Sequence, residues 1–160
     1  MRAAPRSRGV LAPLFDRLAE DRPAEPRPPQ PLDEEGLRAS VRLEVAHVLG
    51  TRCTLTLAQA ESLAPEERSV LDYGLPDLGS LSLESPADAR RLERLVTLAV
   101  KAFEPRLRVL QVTVQPPPRA PGATRVVLTG QLVQVPEADP FSLPLLLDDD
   151  GRLVEVRHER

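Results

Sequence analysis

The sequence predicts an α+β fold in which N-terminal helices pack on a small antiparallel C-terminal β-sheet. Between residues 33 and 103 the apolar residues recur at steps of three and four, as on one face of a helix. After residue 107 they alternate with polar residues, as in half-buried strands. Helices first and strands last indicate that the two kinds of element are segregated into layers.

Length and composition narrow the class of protein. The chain has 160 residues, of which 41% are apolar and 2% aromatic, and it has no Trp, so the core must be built from Leu, Val and Ala. The net charge of −3 provides no dominating basic field, which argues against a nucleic-acid partner. Because no apolar run approaches the ~20 residues of a membrane span, we expect a cytoplasmic protein without direct membrane insertion.

The N-terminal residues predict an arm on a tether. Residues 1–21 contain a short amphipathic helix, and the Pro-rich residues 22–32 form a semi-rigid linker to a single α+β domain at 33–157. The arm either folds back on its own domain or lays its apolar face into a partner's groove. Its docking residues are Leu11, Leu14, Phe15 and Leu18.

The first long helix of the domain begins near Asp33 and extends to Gly50, which is predicted as its C-cap. Its apolar stripe consists of Leu37, Val41, Val45, Val48 and Leu49. Residues 51–64 are less regular, and a short helix is predicted from Pro65 to Leu71. Residues 72–77 have the composition of a loop, in which Gly74 supplies a positive φ and Pro76 fixes a turn.

A second long helix begins at Ser85, with Pro86 in its first position and Asp88 placed as in a capping box. Its apolar stripe consists of Leu92, Leu95, Val96, Ala99 and Phe103. Pro105 disfavours helical geometry at Glu104, so the helix should end there.

Four strands follow the second helix. The first has Leu110, Val112 and Val114 on its buried face. The second buries Val126, Leu128 and Leu132, and Gly130 within it suggests a bulge or bend. Two short strands near 141–147 and 152–156 are joined by a turn at Asp148–Gly151, and the last is expected to be an edge open to strand addition.

Two short motifs are the candidate partner-binding residues. The first is the loop Tyr73, Gly74, Leu75, Pro76 and Asp77. The second is the helix–strand corner Glu104, Pro105 and Arg106. Each motif also has a purely structural interpretation: a tight loop with Tyr73 at the edge of the core, and an internal salt bridge between Glu104 and Arg106. The sequence predicts no metal or cofactor site, because it has a single Cys and two His that are far from each other along the chain.

The chain resembles TssE-type subunits of the type VI secretion baseplate, in the lysozyme-like wedge family of contractile phage tails. The resemblance is carried, in order, by segments 14–18 (Leu-Phe-Asp-Arg-Leu), 49–52 (Leu-Gly-Thr-Arg), 69–78 (Ser-Val-Leu-Asp-Tyr-Gly-Leu-Pro-Asp-Leu) and 103–107 (Phe-Glu-Pro-Arg-Leu). It implies a non-catalytic baseplate protein that contacts the wedge subunits TssF, TssG and TssK through Glu-Pro-Arg. It also implies that the protein offers strands to the sheath subunits TssB and TssC and so nucleates the sheath.

Two alternatives stay open at this point. One is the equivalent baseplate protein of a phage-derived tail. The other is a peptidoglycan-cleaving glycosidase, which needs two carboxylates across a cleft. Glu104 adjoins the cation of Arg106, which makes it unsuitable as a general acid. The scarcity of aromatic residues also removes the usual platforms for sugar stacking.

Overall fold

A computed structural model describes residues 32–82, 84–115, 124–137, 139–147 and 153–155. The predicted arm helix with its four docking residues, the linker up to residue 31 and the turn at Asp148–Gly151 lie outside these described residues.

The order of elements confirms the predicted α+β class. The helices are α1 (Glu34–Gly50), α2 (Leu57–Ser62) and α3 (Pro86–Phe103), with two 3-10 turns at Pro65–Glu67 and Val70–Asp72 between α2 and α3. The strands are β1 (Leu107–Gln115), β2 (Thr124–Leu132), β3 (Phe141–Leu147) and β4 (Leu153–Glu155). They form one antiparallel sheet in the order β1-β2-β3-β4. Among the described residues, the helices are either too short or too polar to cross a membrane.

Helix α1 has the predicted start and the predicted buried face. The Asp33 carboxylate accepts a hydrogen bond from the Gly36 N–H at 2.8 Å, and all five residues of the predicted stripe are buried. The prediction of Gly50 as C-cap is wrong by one residue. Gly50 is the last helical residue, and Thr51 is the cap, with its hydroxyl donating to the His47 carbonyl at 2.7 Å.

Helix α3 begins and ends where predicted, but its start is held differently. Ser85 is the N-cap and Pro86 the first helical residue, yet the Ser85 side chain makes no capping hydrogen bond. The Asp88 carboxylate instead accepts from the Ser82 N–H at 3.0 Å, so the predicted capping box does not form. This carboxylate orders the chain before the helix rather than its cap.

The segment before the candidate loop differs most from its prediction. Helix α2 was not predicted; Thr56 and Gln59 form a reciprocal capping box at its start. The single helix predicted from Pro65 to Leu71 is two 3-10 turns, because Ser69 is extended (φ −105°, ψ 175°) and begins the second turn itself.

A β-bulge at Leu110 shifts the face of β1. Pairing moves from Val109↔Gly130 to Gln111↔Thr129, so Leu110 is the extra residue, and it is 50% exposed rather than buried. The bulge suggested by Gly130 is therefore confirmed, opposite that glycine. A Cβ at Gly130 would lie 2.5 Å from Leu107 Cδ1, so a side chain there would require the Leu107 side chain to move.

The helices pack on one face of the sheet, and the two sheet edges differ. Helix α1 packs against α3 and β4, and α3 against β1. At the β1 edge the Val114 N–H donates to the Glu93 carboxylate of α3 at 2.9 Å. Strand β4 lies at the opposite edge and pairs with β3, which confirms its predicted edge position.

Candidate partner-binding site

The helix–strand corner is formed by the local chemistry of residues 104–106. Glu104 caps α3, with its N–H donating to the Val100 carbonyl at 2.8 Å and its own carbonyl accepting from the Leu107 N–H at 3.1 Å. Pro105 follows and cannot continue the helix. The chain therefore turns sharply into β1, and Pro105 is left exposed on the outside of the turn.

Arg106 folds back on Glu104 inside this turn. Its Nε donates to Oε1 at 2.8 Å, its Nη2 to Oε2 at 2.5 Å, and its backbone N–H to Oε1 at 3.0 Å. Its Nη1 also donates to the Ser40 hydroxyl of α1 at 3.1 Å. The Glu104 residue is only 1% exposed, so its carboxylate is not displayed at the surface. The pair joins α1, α3 and β1 at one point.

Gly74 fixes the candidate loop by a close approach to Thr51. Its φ is +109°, and a Cβ there would lie 2.4 Å from the Thr51 carbonyl oxygen. The Leu75 N–H donates to that carbonyl at 2.9 Å, and the Leu75 carbonyl accepts from the Cys53 N–H at 2.8 Å. A side chain at position 74 would therefore force apart the two segments that these hydrogen bonds join.

The two predicted motifs lie side by side. The ring of Tyr73 lies 5.1 Å from that of Phe103, which directly precedes Glu104. Burial raises the pKa of the Tyr73 hydroxyl, and the negative charges of Glu44 and Glu104 raise it further. The loop and the corner are thus joined through a contact between aromatic rings.

Most of the candidate loop faces inward. Gly74, Leu75 and Pro76 are buried, Tyr73 is half-buried and Asp77 is exposed. Asp77 accepts a hydrogen bond from Arg52 Nη1 at 2.6 Å. The Gly79 N–H and, after it, the charge of Arg52 lower the pKa of Asp77. Within the loop, Tyr73 and Asp77 have the surface that a partner can reach.

Two exposed apolar residues beside the corner were not predicted. Val133 is 54% exposed, and its N–H donates to the Arg106 carbonyl at 2.9 Å. Leu43 is 45% exposed and lies one turn of α1 beyond Ser40, the residue that Arg106 contacts. Leu43 could have been found from the sequence, because it lies off the stripe that contains Val41 and Val45.

We compared the chain with known protein families and with known proteins. The family described as baseplate wedge protein gp25 matches residues 35–137, which include both motifs. No curated protein matches the chain significantly.

Two solved structures are similar to this chain. One, from the baseplate complex of the type VI secretion system, has a TM-score of 0.51 and 25% identity, covering 77% of this chain and 98% of its own. The other, a candidate tail lysozyme from Geobacter sulfurreducens, has a TM-score of 0.50 and 18% identity, covering 82% of this chain and 99% of its own. At that identity the second structure shows the fold alone. The family match extends over more than half of the chain, and the protein accordingly belongs to the gp25 family of baseplate wedge proteins.

Proposed function

We propose that this protein is a structural subunit of a type VI secretion baseplate, where it binds wedge subunits and helps to nucleate the contractile sheath. The observation that carries this proposal is the family match over residues 35–137, which contains the whole corner and loop. The similarity to a chain of a type VI baseplate complex, at 25% identity, supports the secretion system as the parent machine.

The wedge contact is proposed at the helix–strand corner, with TssF-, TssG- and TssK-type subunits as partners. Glu104 acts there as a positioning residue, since it is buried and fixes Arg106 and the turn. The surface presented to the partner consists of Pro105, the accessible edge of Arg106, and the apolar side chains of Leu43 and Val133. Tyr73 and Asp77 extend this surface along the loop.

The sheath contact is proposed at the β4 edge of the sheet. Strand addition needs backbone N–H and C=O groups that face outward at an edge. The opposite edge is partly closed, because Glu93 takes the Val114 N–H. The β4 edge is therefore the better acceptor for strands of TssB- and TssC-type sheath subunits.

A glycan-hydrolysing function has less support. The fold is similar to that of a candidate tail lysozyme, but a catalytic carboxylate must reach the substrate. Glu104 is buried and fully engaged by Arg106, so it is unsuited to that task.

The test is co-purification of the tagged chain with the wedge and sheath subunits of its own genome. Substitutions of Glu104 or Arg106 are a poor first choice, because loss of a buried ion pair threatens folding. Leu43→Glu changes the exposed surface instead, with Leu110→Glu as the matched control at a similarly exposed leucine on the β1 bulge.

We expect the wild type and Leu110→Glu to capture wedge subunits, and Leu43→Glu to reduce capture about tenfold, equivalent to about 1.4 kcal/mol. A folded wild type that captures neither wedge nor sheath subunits would refute the baseplate function. Undiminished capture of wedge subunits by Leu43→Glu would refute the proposal that the wedge contact lies at this corner.

A further inference from the structure

A second exposed apolar feature lies outside the corner, in the second 3-10 turn. Val70 is 86% exposed and Leu71 is 79% exposed. The other large apolar side chains that are exposed among the described residues reach only 45–54%. We call Val70 and Leu71 the apolar knob. Single exposed apolar residues are ordinary, but two adjacent ones that are almost fully in water call for a physical explanation.

The knob is held rigidly by hydrogen bonds at its base. The N–H and the hydroxyl of Ser69 both donate to Asp72 Oδ2 at 2.9 Å, and the Leu71 N–H donates to the Ser69 hydroxyl at 3.2 Å. The Asp72 N–H closes the turn on the Ser69 carbonyl at 3.0 Å. Because the turn is ordered in the free protein, a partner that binds it need not order it, which favours affinity.

The charges around the knob are unbalanced. Glu66 and Glu67 are exposed, and Asp72 stays ionised because its hydrogen bonds from Ser69 lower its pKa. The cation of this segment, Arg68, faces inward and donates through Nη2 to the Ala60 carbonyl at 2.6 Å. Its Nε and Nη1 atoms are buried as well. The segment therefore presents two hydrocarbon side chains with three carboxylates close to them in sequence, at Glu66, Glu67 and Asp72.

The size of the knob limits the kind of complex that it can support. A stable interface buries roughly 800 Å² on each partner, far more than two side chains provide. The knob alone would not hold two copies of this chain together. It suits a subsidiary contact with a neighbour that is already held close by another surface. Nucleic acid and anionic lipid surfaces are disfavoured, because they would meet the carboxylates.

We propose that Val70 and Leu71 insert into an apolar pocket with an Arg- or Lys-lined rim on a neighbouring protein subunit of the same assembly. This inference rests on the proposed baseplate function, which supplies the assembly. It adds a docking site that is separate from the Glu104–Arg106 corner and has its own recognition chemistry: an apolar centre and charge-complementary edges.

The first experiment places a photo-crosslinking amino acid at position 71 of the full chain, within the co-purified complex used to test the corner. We expect a crosslink to a neighbouring subunit at an apolar site that adjoins basic residues. A crosslink to a second copy of this chain, or no crosslink in a complex that contains the chain, would overturn the proposal.

The second experiment measures capture of that neighbour by knob variants. Val70→Ser/Leu71→Ser should reduce capture about tenfold without changing the melting temperature, since both residues are exposed. Glu66→Lys should also reduce it, and more strongly at low than at high salt, because it reverses a charge that faces the basic rim. Stronger capture by Glu66→Lys would contradict the basic rim.

The outcomes separate this proposal from the baseplate function. If the wild type captures neighbours and Leu43→Glu captures about tenfold less, while Val70→Ser/Leu71→Ser captures them fully, the knob proposal alone fails. If a folded wild type captures no subunit at all, both proposals fail.

Discussion

Replacing Arg106 by Leu should destabilise the protein more than replacing Glu104 by Leu, although the two residues form one ion pair. In Arg106→Leu, a carboxylate whose residue is 1% exposed loses its two guanidinium donors, Nε at 2.8 Å and Nη2 at 2.5 Å. Hydrogen bonds to charged groups contribute about 1.5–3 kcal/mol each, and removal of one partner from a buried pair costs about 3–5 kcal/mol. We therefore expect Arg106→Leu to lower the free energy of unfolding by about 3–5 kcal/mol.

Glu104→Leu should have a smaller effect because the remaining cation is less buried. The Arg106 side chain is 15% exposed and still donates to the Ser40 hydroxyl at 3.1 Å. Partial access to water offsets part of the lost interaction, so we expect a decrease of about 1–3 kcal/mol in the free energy of unfolding. The double variant should be more stable than Arg106→Leu alone, because it leaves no unpaired buried charge.

Urea denaturation followed by circular dichroism measures these differences for the wild type, both single variants and the double variant. The expected coupling energy is about 2–4 kcal/mol, comparable with the ~4 kcal/mol of two charges 4 Å apart at an effective dielectric constant of 20. A coupling energy near zero, or a larger loss for Glu104→Leu than for Arg106→Leu, would refute the idea that Glu104 is a buried anion that depends on Arg106.

Two further predictions concern the loop and helix α2. Gly74→Ala should lower the free energy of unfolding by at least about 2 kcal/mol, because the position has a positive φ and a Cβ there would lie 2.4 Å from the Thr51 carbonyl oxygen. Gly79→Ala is the control, because its Cβ would lie 3.4 Å from the nearest atom, an Asp77 side-chain oxygen. Denaturant titration should show only a small change in the free energy of unfolding for this control. Glu61 should make the stability of the protein depend on pH, because hydrogen bonds from Arg91 lower the pKa of its carboxyl below the ordinary 4.5. Its contribution to the free energy of unfolding is fully present above pH 4.5 and is lost as the pH falls through the pKa of Glu61 in the folded protein. Thermal midpoints across pH should therefore show a stability gap between the wild type and Glu61→Gln that is constant near neutrality and shrinks below 4.5; a gap independent of pH would contradict this.

The long elements could be predicted from the sequence because each repeats its pattern several times. Helices α1 and α3 each place five residues in a buried face, and β2 alternates over its whole length. Helix α2 has only six residues, too few for a helical period to be visible. Its one local signal is the Thr56–Gln59 capping box, and a tertiary ion pair between Glu61 and Arg91 at 2.7 Å completes its support.

Alternation alone predicted the buried face of β1 correctly at Val112 and Val114 but not at Leu110. A bulge inserts one residue, and every side chain beyond it changes face relative to an uninterrupted count. Leu110 is that residue, so its apolar character gave a false signal of burial. The correct signal was on the neighbouring strand, where Gly130 leaves room for the Leu107 side chain.

The candidate site shows the same limit of local reasoning. The sequence places Glu104 and Arg106 at a corner, but whether their charges face outward depends on α1, which is 66 residues away in sequence at Ser40. The polar groups of Glu104 and Arg106 hydrogen-bond to each other and to Ser40. The surface of the corner that a partner can contact is therefore mainly apolar. Recognition at such a site depends on fit and on exclusion of water more than on new hydrogen bonds. The ion pair would therefore affect binding indirectly, by fixing the position of Pro105 and of the neighbouring apolar side chains. Substitutions of Glu104 that keep the corner folded should then weaken binding only as far as they displace those groups.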